Sequence, residues 1–502
     1  HYTYGTSNDG SYFRYDAYTG DMLDISPIPG LWEEEYRFDW TSPALLSRHD
    51  PDVLIAAGNR VFISRDRGES WERTEDLSRQ IDRDDVELMG VDGRDITISR
   101  NDGTGSFGEA TTLSESPLDP AILWVGFDDG NVQVTRDGGD TWTEVSANVQ
   151  GIRDGTYVSR LAASAQGPGV AYATFDAHRD GDFRPFVYRT DDFGMTWAPL
   201  HRDLPEMGSV NVIVEHPDNT DVLFVGTEHA LFASTDAGTT WAKVPNLPTT
   251  AYDDLVIHPR EKDLVMGTHG RSIWVLDDTR PFAEWAKASG EAHLFSVAPG
   301  RLKLYKKDTS YRGQAEFAGE NPDDGVLITY RLDTGGGDAV LRIAREGGEV
   351  IREMQVPGAE GTHRVNWDLR HPLPGQPDIW ERFDDDQLAR SVEDRGHFVA
   401  PGRYAVTLLA RGTESTQVVE IGGDPDMPIT AAEYRARELF LLEAQALGEE
   451  ITELMRAMGV SNGGRFGGQE GAQDTPQARL RRLSRAVSGI QRDMSGGGVR
   501  PG

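Results

Sequence analysis

Thr135-Arg136-Asp137-Gly138-Gly139-Asp140-Thr141-Trp142 decides the fold. It reads S/T-x-D-x-G-x-T/S-W, and the chain repeats it at Ser64–Trp71, Thr190–Trp197 and Ser234–Trp241. The spacing is that of a β-hairpin turn. An Asp carboxylate two residues after a hydroxyl can accept from that hydroxyl and from turn amides. The Gly supplies a positive φ, and the Trp opens the next strand and can pack on a neighbouring sheet. A structural role is therefore expected for Asp66, Gly68, Trp71, Asp137, Gly139, Trp142, Asp192, Gly194, Trp197, Asp236, Gly238 and Trp241.

Each octapeptide closes a longer unit. Ser116-Pro117-Leu118-Asp119-Pro120 turns into Leu123-Trp124-Val125-Gly126. The hairpin signal Asp128-Asp129-Gly130 follows, then Val132-Gln133-Val134 and the octapeptide. The order returns after His49-Asp50-Pro51 and His216-Pro217-Asp218, without an octapeptide after His258-Pro259-Arg260, and with a polar insertion at Asp176–Arg184. Repeats of this length, rich in short strands, predict propeller blades of four antiparallel strands. Six blades or blade fragments are expected over residues 1–290. The first lacks an opening strand, so either strands from both ends share a blade or the propeller is larger.

The octapeptide resembles the Asp-box of sialidases, sortilin-type receptors and bacterial BNR-repeat proteins. Gly267-Thr268-His269-Gly270-Arg271-Ser272-Ile273-Trp274 and Val256-Ile257-His258-Pro259-Arg260 extend the likeness to the sortilin-like, sialidase-like "glycosyl hydrolase" group. That resemblance implies the fold and a location outside the cytoplasm more than an activity.

Residues 291–425 read as a small sandwich. Val326–Tyr330, Ala339–Ile343, His363–Trp367 and Tyr404–Leu408 alternate as half-buried strands. Ala400-Pro401-Gly402-Arg403-Tyr404 and Asn366-Trp367-Asp368 resemble the Ig-like sandwich of flagellar-hook-cap and secretion-associated modules. Residues 426–502 read as a helical hairpin. Thr430-x-x-Glu433 is a capping box. Phe440, Leu447, Ile451, Leu454 and Met458 form one apolar stripe, and Leu480, Leu483, Val487, Ile490 and Met494 a second. The Gly-rich Gly459–Asp474 between them is expected to be flexible. The hairpin, acidic first and basic second, is expected to pack on its own chain or to dock a partner, and to be separable by a cut near Asp424. The predicted class is thus all-β, an Asp-box propeller with an Ig-like sandwich and a C-terminal helical hairpin.

A net charge of −33 argues against nucleic acid or an anionic membrane as partner. No cysteine is present, which excludes disulfides, thiolate catalysis and Cys-ligated metals. No apolar run is long enough to span a membrane. A periplasmic or extracellular chain, mature or trimmed at His1, is expected. No cofactor is expected; calcium at Asp384-Asp385-Asp386 is conceivable, but the spaced ligands of a calcium loop are missing. Neither a Gly-x-Ser-x-Gly elbow nor a P-loop occurs, and Gly103–Gly108 reads as a loop.

Polar residues at strand exits are the binding candidates: His178, Arg179, Glu228, His229, His269 and Arg271. On one end of a propeller channel they would form a basic patch for an anionic glycan or acidic peptide. A metal site from His178, His229 and His269 would need all three on the axis. The leading reading is an extracytoplasmic binding or interaction protein, with a subunit role and oligomerisation through the last helices. The alternative is a glycoside hydrolase of the sialidase-like superfamily, although the Phe-Arg-Ile-Pro signature of sialidases is absent.

Overall fold

The computed structural model describes residues 1–88, 90–96, 107–303, 325–372, 378, 380, 396–460 and 475–494. The loop Gly103–Ser106, the acidic triplet Asp384–Asp386 and most of Gly459–Asp474 lie outside the described residues. The chain divides into two compact units, His1–Ala283 and Glu284–Gly502.

Short strands punctuated by turns build the first unit as a series of small antiparallel meanders. Four sheets follow the order of the sequence: Ala44–Arg73, Ala110–Glu144, Tyr157–Pro199 and Val210–Lys243, each four-stranded. Three-stranded sheets at Tyr2–Asp24 and Tyr252–Leu276 flank them. No strand of the first of these joins the last, so among the described residues the two ends do not share a blade. The core is the set of layers between successive sheets. Ile55, Val61 and Ile63 pack with Leu123 and Val125; Trp124 and Val134 with Leu161, Ala173 and Tyr188; Tyr172 and Val187 with Ile213 and Leu223; Phe224 and Leu231 with Leu255 and Met266. This stack of mostly four-stranded blades is a propeller architecture.

The four octapeptides adopt one hydrogen-bond pattern. One oxygen of Asp66, Asp137, Asp192 and Asp236 accepts from the hydroxyl two residues before and the amide four residues after. The other accepts from the hydroxyl four residues after, all at 2.5–2.9 Å. The box also joins blades. Trp71 Nε1 donates to the Ile25 carbonyl (2.8 Å), and Trp241 Nε1 to that of Leu200 (2.9 Å). Gly194, at φ +79°, faces Val145 so closely that a Cβ would sit 2.7 Å from its Cγ2.

Glutamates at strand ends clamp neighbouring blades. Glu115 accepts from Ser47 Oγ (2.7 Å) and Arg48 N (2.8 Å); Glu215 accepts from Ser164 Oγ (2.5 Å) and Ala165 N (2.8 Å). The His-Pro turn is structural too: His216 is fully buried, with Thr279 Oγ1 at 3.0 Å and the Asp218 amide donating to Nδ1 at 3.1 Å.

The second unit holds two sheets over one core. Ala292–Leu294, Val326–Leu332 and Gly361–Trp367 form one; the other orders Gly300–Arg301, Thr413–Gly422, Gly402–Ala410, Ala339–Arg345 and Val350–Val356, its first pair parallel. Trp367 and Tyr404 are fully buried between them, rings 5.4 Å apart. The Tyr404 hydroxyl donates to the Ala400 carbonyl four residues upstream. The acidic helix, Ala431–Ala457, opens with the Thr430/Glu433 capping box.

That helix is tied to the sheets across the expected cut near Asp424. Tyr434 belongs to the sandwich core, and its hydroxyl accepts from the Asp424 amide at 3.0 Å. Glu438, buried, receives Arg345 Nη2 (2.5 Å), Arg435 Nη1 (2.6 Å) and His371 Nε2 (2.7 Å). Burial alone would raise its proton affinity. The His371 and Arg435 hydrogen bonds and the Arg345 charge outweigh burial and bring its pKa to about 2.

Candidate functional site

In a meander sheet the turn between second and third strands returns to the same end in every blade. The described blades therefore present Asp128–Asn131, Asp176–Arg184, Thr227–Ala230 and Thr268–Ser272 at one end of the first unit. His178, Arg179, Glu228, His229, His269 and Arg271 all lie in these turns, on three successive blades.

The structure brings only part of this set together. His178 Nδ1 is 2.5 Å from Asp176 Oδ2, and the His178 amide donates to Asp176 Oδ1 at 3.0 Å. The Asp176 hydrogen bond is the main reason the imidazole pKa is raised, and the Glu228 charge adds to it. Burial would raise the Asp176 carboxyl, but His178 outweighs it and holds it below the usual range. Arg179 lies with its guanidinium carbon 5.5 Å from the centre of the Tyr157 ring. His229 and His269 keep separate partners: Glu228 at 3.9 Å and Asp253 at 3.4 Å. The histidines do not converge, and no group of three or more metal-ligating side chains occurs among the described residues. Arg271 serves its own turn, its carbonyl accepting from Trp274 Nε1 at 2.9 Å.

Around the expected basic patch lie carboxylates as well as cations. Tyr157 lies within electrostatic reach of Asp39, Asp128 and Asp176 as well as Arg179; burial first, then Asp39, raises its hydroxyl pKa. Arg160 reaches from its inner strand to Asp254 Oδ1 at 2.8 Å. Asp39, Asp128 and Asp176 share these surroundings with Arg179, and His178 is engaged by Asp176.

Asp128 and Asp129 were legible only as a hairpin signal. Both are buried. Asp128 Oδ1 accepts from the amides of Gly108 (3.0 Å) and Glu109 (2.7 Å). Those bonds lower its proton affinity, yet burial dominates; with the charges of Asp129, Glu109 and Asp39 it raises the pKa to about 8. Asp129 is also raised by burial, against hydrogen bonds from the Arg79 and Asn131 amides. Arg79 leads from Asp129 into a cleft of about 390 Å³ lined by Glu144, Ser146, Arg153, Asp154 and Phe175.

The arrangement therefore offers two carboxyl groups with opposite proton affinities at neutral pH. Burial raises the Asp128 pKa to about 8, whereas His178 holds that of Asp176 below the usual carboxylate range. Such a divided pair is what acid–base chemistry at an oxygen leaving group requires.

No family model matches the chain. Over 396 residues it is 20% identical to a probable oligoxyloglucan-reducing end-specific xyloglucanase of Neosartorya fischeri, covering 71% of this chain and 39% of that protein. A xyloglucanase of a Paenibacillus species is 21% identical over 364 residues, 69% of this chain and 29% of that protein. The chain thus spans well under half the length of these curated relatives. Among solved structures, the GH74 xyloglucanase from Xanthomonas campestris is similar at 13% identity and TM-score 0.33, covering 85% of this chain and 94% of that one. YCF48 from Cyanidioschyzon merolae is similar at 11% identity and TM-score 0.34, covering 53% and 76%. The two curated relatives named here are xyloglucanases, which are glycoside hydrolases, the class of the alternative reading, and not sialidases or sortilin-type receptors.

Proposed function

We propose that this chain is the site-bearing part of an extracytoplasmic glycoside hydrolase acting on a neutral β-glucan of the xyloglucan class. The observation that carries the reading is the similarity to xyloglucanases, joined to two oppositely shifted carboxyl groups on neighbouring blades, Asp128 and Asp176, that both act on Tyr157. Asp128, protonated up to pH of about 8, is the general acid for the leaving-group oxygen. Asp176, kept ionised by His178, is the carboxylate that activates water or stabilises the developing positive charge. The similarity to xyloglucanases supports the substrate class, and the acidic surroundings favour a neutral sugar over an anionic one. Arg179 stacked on Tyr157 offers a flat, partly polar wall of the kind a sugar ring packs on.

Glycan binding without turnover is favoured by one observation: the chain matches at most 39% of either relative's length, so machinery they carry elsewhere is not matched. One experiment separates the two readings. Reducing-end release from xyloglucan oligosaccharides, lost in Asp128→Asn and Asp176→Asn while binding and melting persist, supports hydrolysis. Binding with no release by the parent chain supports the second reading. For the second unit we infer an Ig-like sandwich, supported by the Tyr404-to-Ala400 hydrogen bond, the form of a tyrosine corner.

A further inference from the structure

The last two helices cover less of their own apolar surface than their sequence provides. Ile451 and Met455 of the acidic helix pack with Val487 of the basic helix, Pro476–Met494, and Val460 and Leu480 join them. Gly448 faces Val487 and Gln491. Gly448, before the seam residues Ile451 and Met455, meets Val487 and Gln491, while Val460, after them, joins the cluster together with Leu480, before Val487, so the pair is antiparallel. Beside this seam a second stripe stays in water: Phe440, Leu447 and Leu454 on one helix, Leu483 and Ile490 on the other, each 43–53% exposed. Their spacing of seven is that of a coiled-coil seam.

At about 100° per residue, Phe440, Leu447, Leu454 and Met458 trail Ile451 and Met455 around the acidic helix. Leu483 and Ile490 trail Leu480 and Val487 in the same rotational sense. In an antiparallel pair, equal rotations bring both stripes to the same side. The hairpin therefore offers one continuous apolar face two helices wide.

We propose that this face is covered by the same face of a second copy, giving an antiparallel four-helix bundle. Charge complementarity selects that occupant. Glu443, Glu449, Glu450 and Glu453 crowd the acidic helix, while Arg479, Arg481, Arg482 and Arg485 crowd the basic one. A two-fold axis along the bundle sets each acidic helix between two basic helices, its own and its partner's, so every neighbour is antiparallel and of opposite sign. Dimerisation joins two protomers without using the carboxyl pair, so it stands whether or not hydrolysis does.

Sedimentation velocity of the full chain at micromolar concentration tests this. The parent chain is expected at twice the 55.3 kDa protomer mass. Leu447→Glu with Leu454→Glu, both exposed now, is expected to sediment as a monomer with unchanged circular dichroism and melting. Leu447→Ala with Leu454→Ala serves as a milder pair and is expected to weaken association at least tenfold. High salt is expected to weaken the parent dimer. A parent chain that stays monomeric overturns the proposal, as does a dimer indifferent to both variant pairs. Binding of a monomeric parent to anionic vesicles would assign the face to a membrane instead and also overturn it.

Discussion

Each box aspartate is satisfied by atoms within four residues of it, so its sequence carries its whole environment. The hydrogen bond from Thr141 is the main reason Asp137 sits at about 2, and the one from Ser70 does the same for Asp66. Because the folded value lies below the unfolded one near 4, this stability is present above pH 4 and lost as pH falls through about 2. Urea midpoints are expected to drop between pH 4 and 2, with a shallower drop in Asp137→Asn; an identical slope would show that the box is not a proton-linked element. Gly194→Ala places a Cβ at positive φ against Val145 and is expected to cost about 2 kcal/mol in urea unfolding. Asp128 is the opposite case. Its turn was readable, but its proton affinity depends on Gly108 and Glu109, some twenty residues away, and on burial that no local pattern encodes. His269 shows the same limit: its position on an exit turn was readable, its partner Asp253 at 3.4 Å was not.

Elements were legible where periodicity dictates burial. Alternation gave the strands, since that pattern must bury one side, and the apolar stripe gave the helices, although of its residues Ile451 and Val487 are buried while Phe440, Leu447, Leu454, Leu483 and Ile490 stay exposed. What joins one element to another was not legible. The capping box predicts where the acidic helix starts, but not that Tyr434 enters the sandwich core or that Glu438 closes an ionic cluster with Arg345, Arg435 and His371. Removing one member of a buried cluster leaves the others without their counter-charge. Glu438→Ala is therefore expected to cost about 3 kcal/mol, read as a lower urea midpoint for the second unit. A chain ending at Asp424 is expected to lose that unit's cooperative melt; an unchanged melt would restore the helices as a separable module.

For the whole molecule, the repeat was visible because each blade writes the same strands and turns into the chain, and the inter-blade layers then follow from their alternation. The site was visible only as an end of the propeller, since its members come from different blades. The central claim is that Asp128 donates a proton while Asp176 stays ionised. Its most direct test is the pH dependence of reducing-end release from xyloglucan oligosaccharides by the parent chain and by Asp128→Asn. The account predicts a rate that is flat through neutrality and falls above about pH 8 as Asp128 loses its proton, with loss of at least a hundredfold in Asp128→Asn. A folded parent chain that releases no product, or an alkaline limb that persists unchanged in Asp128→Asn, would contradict it.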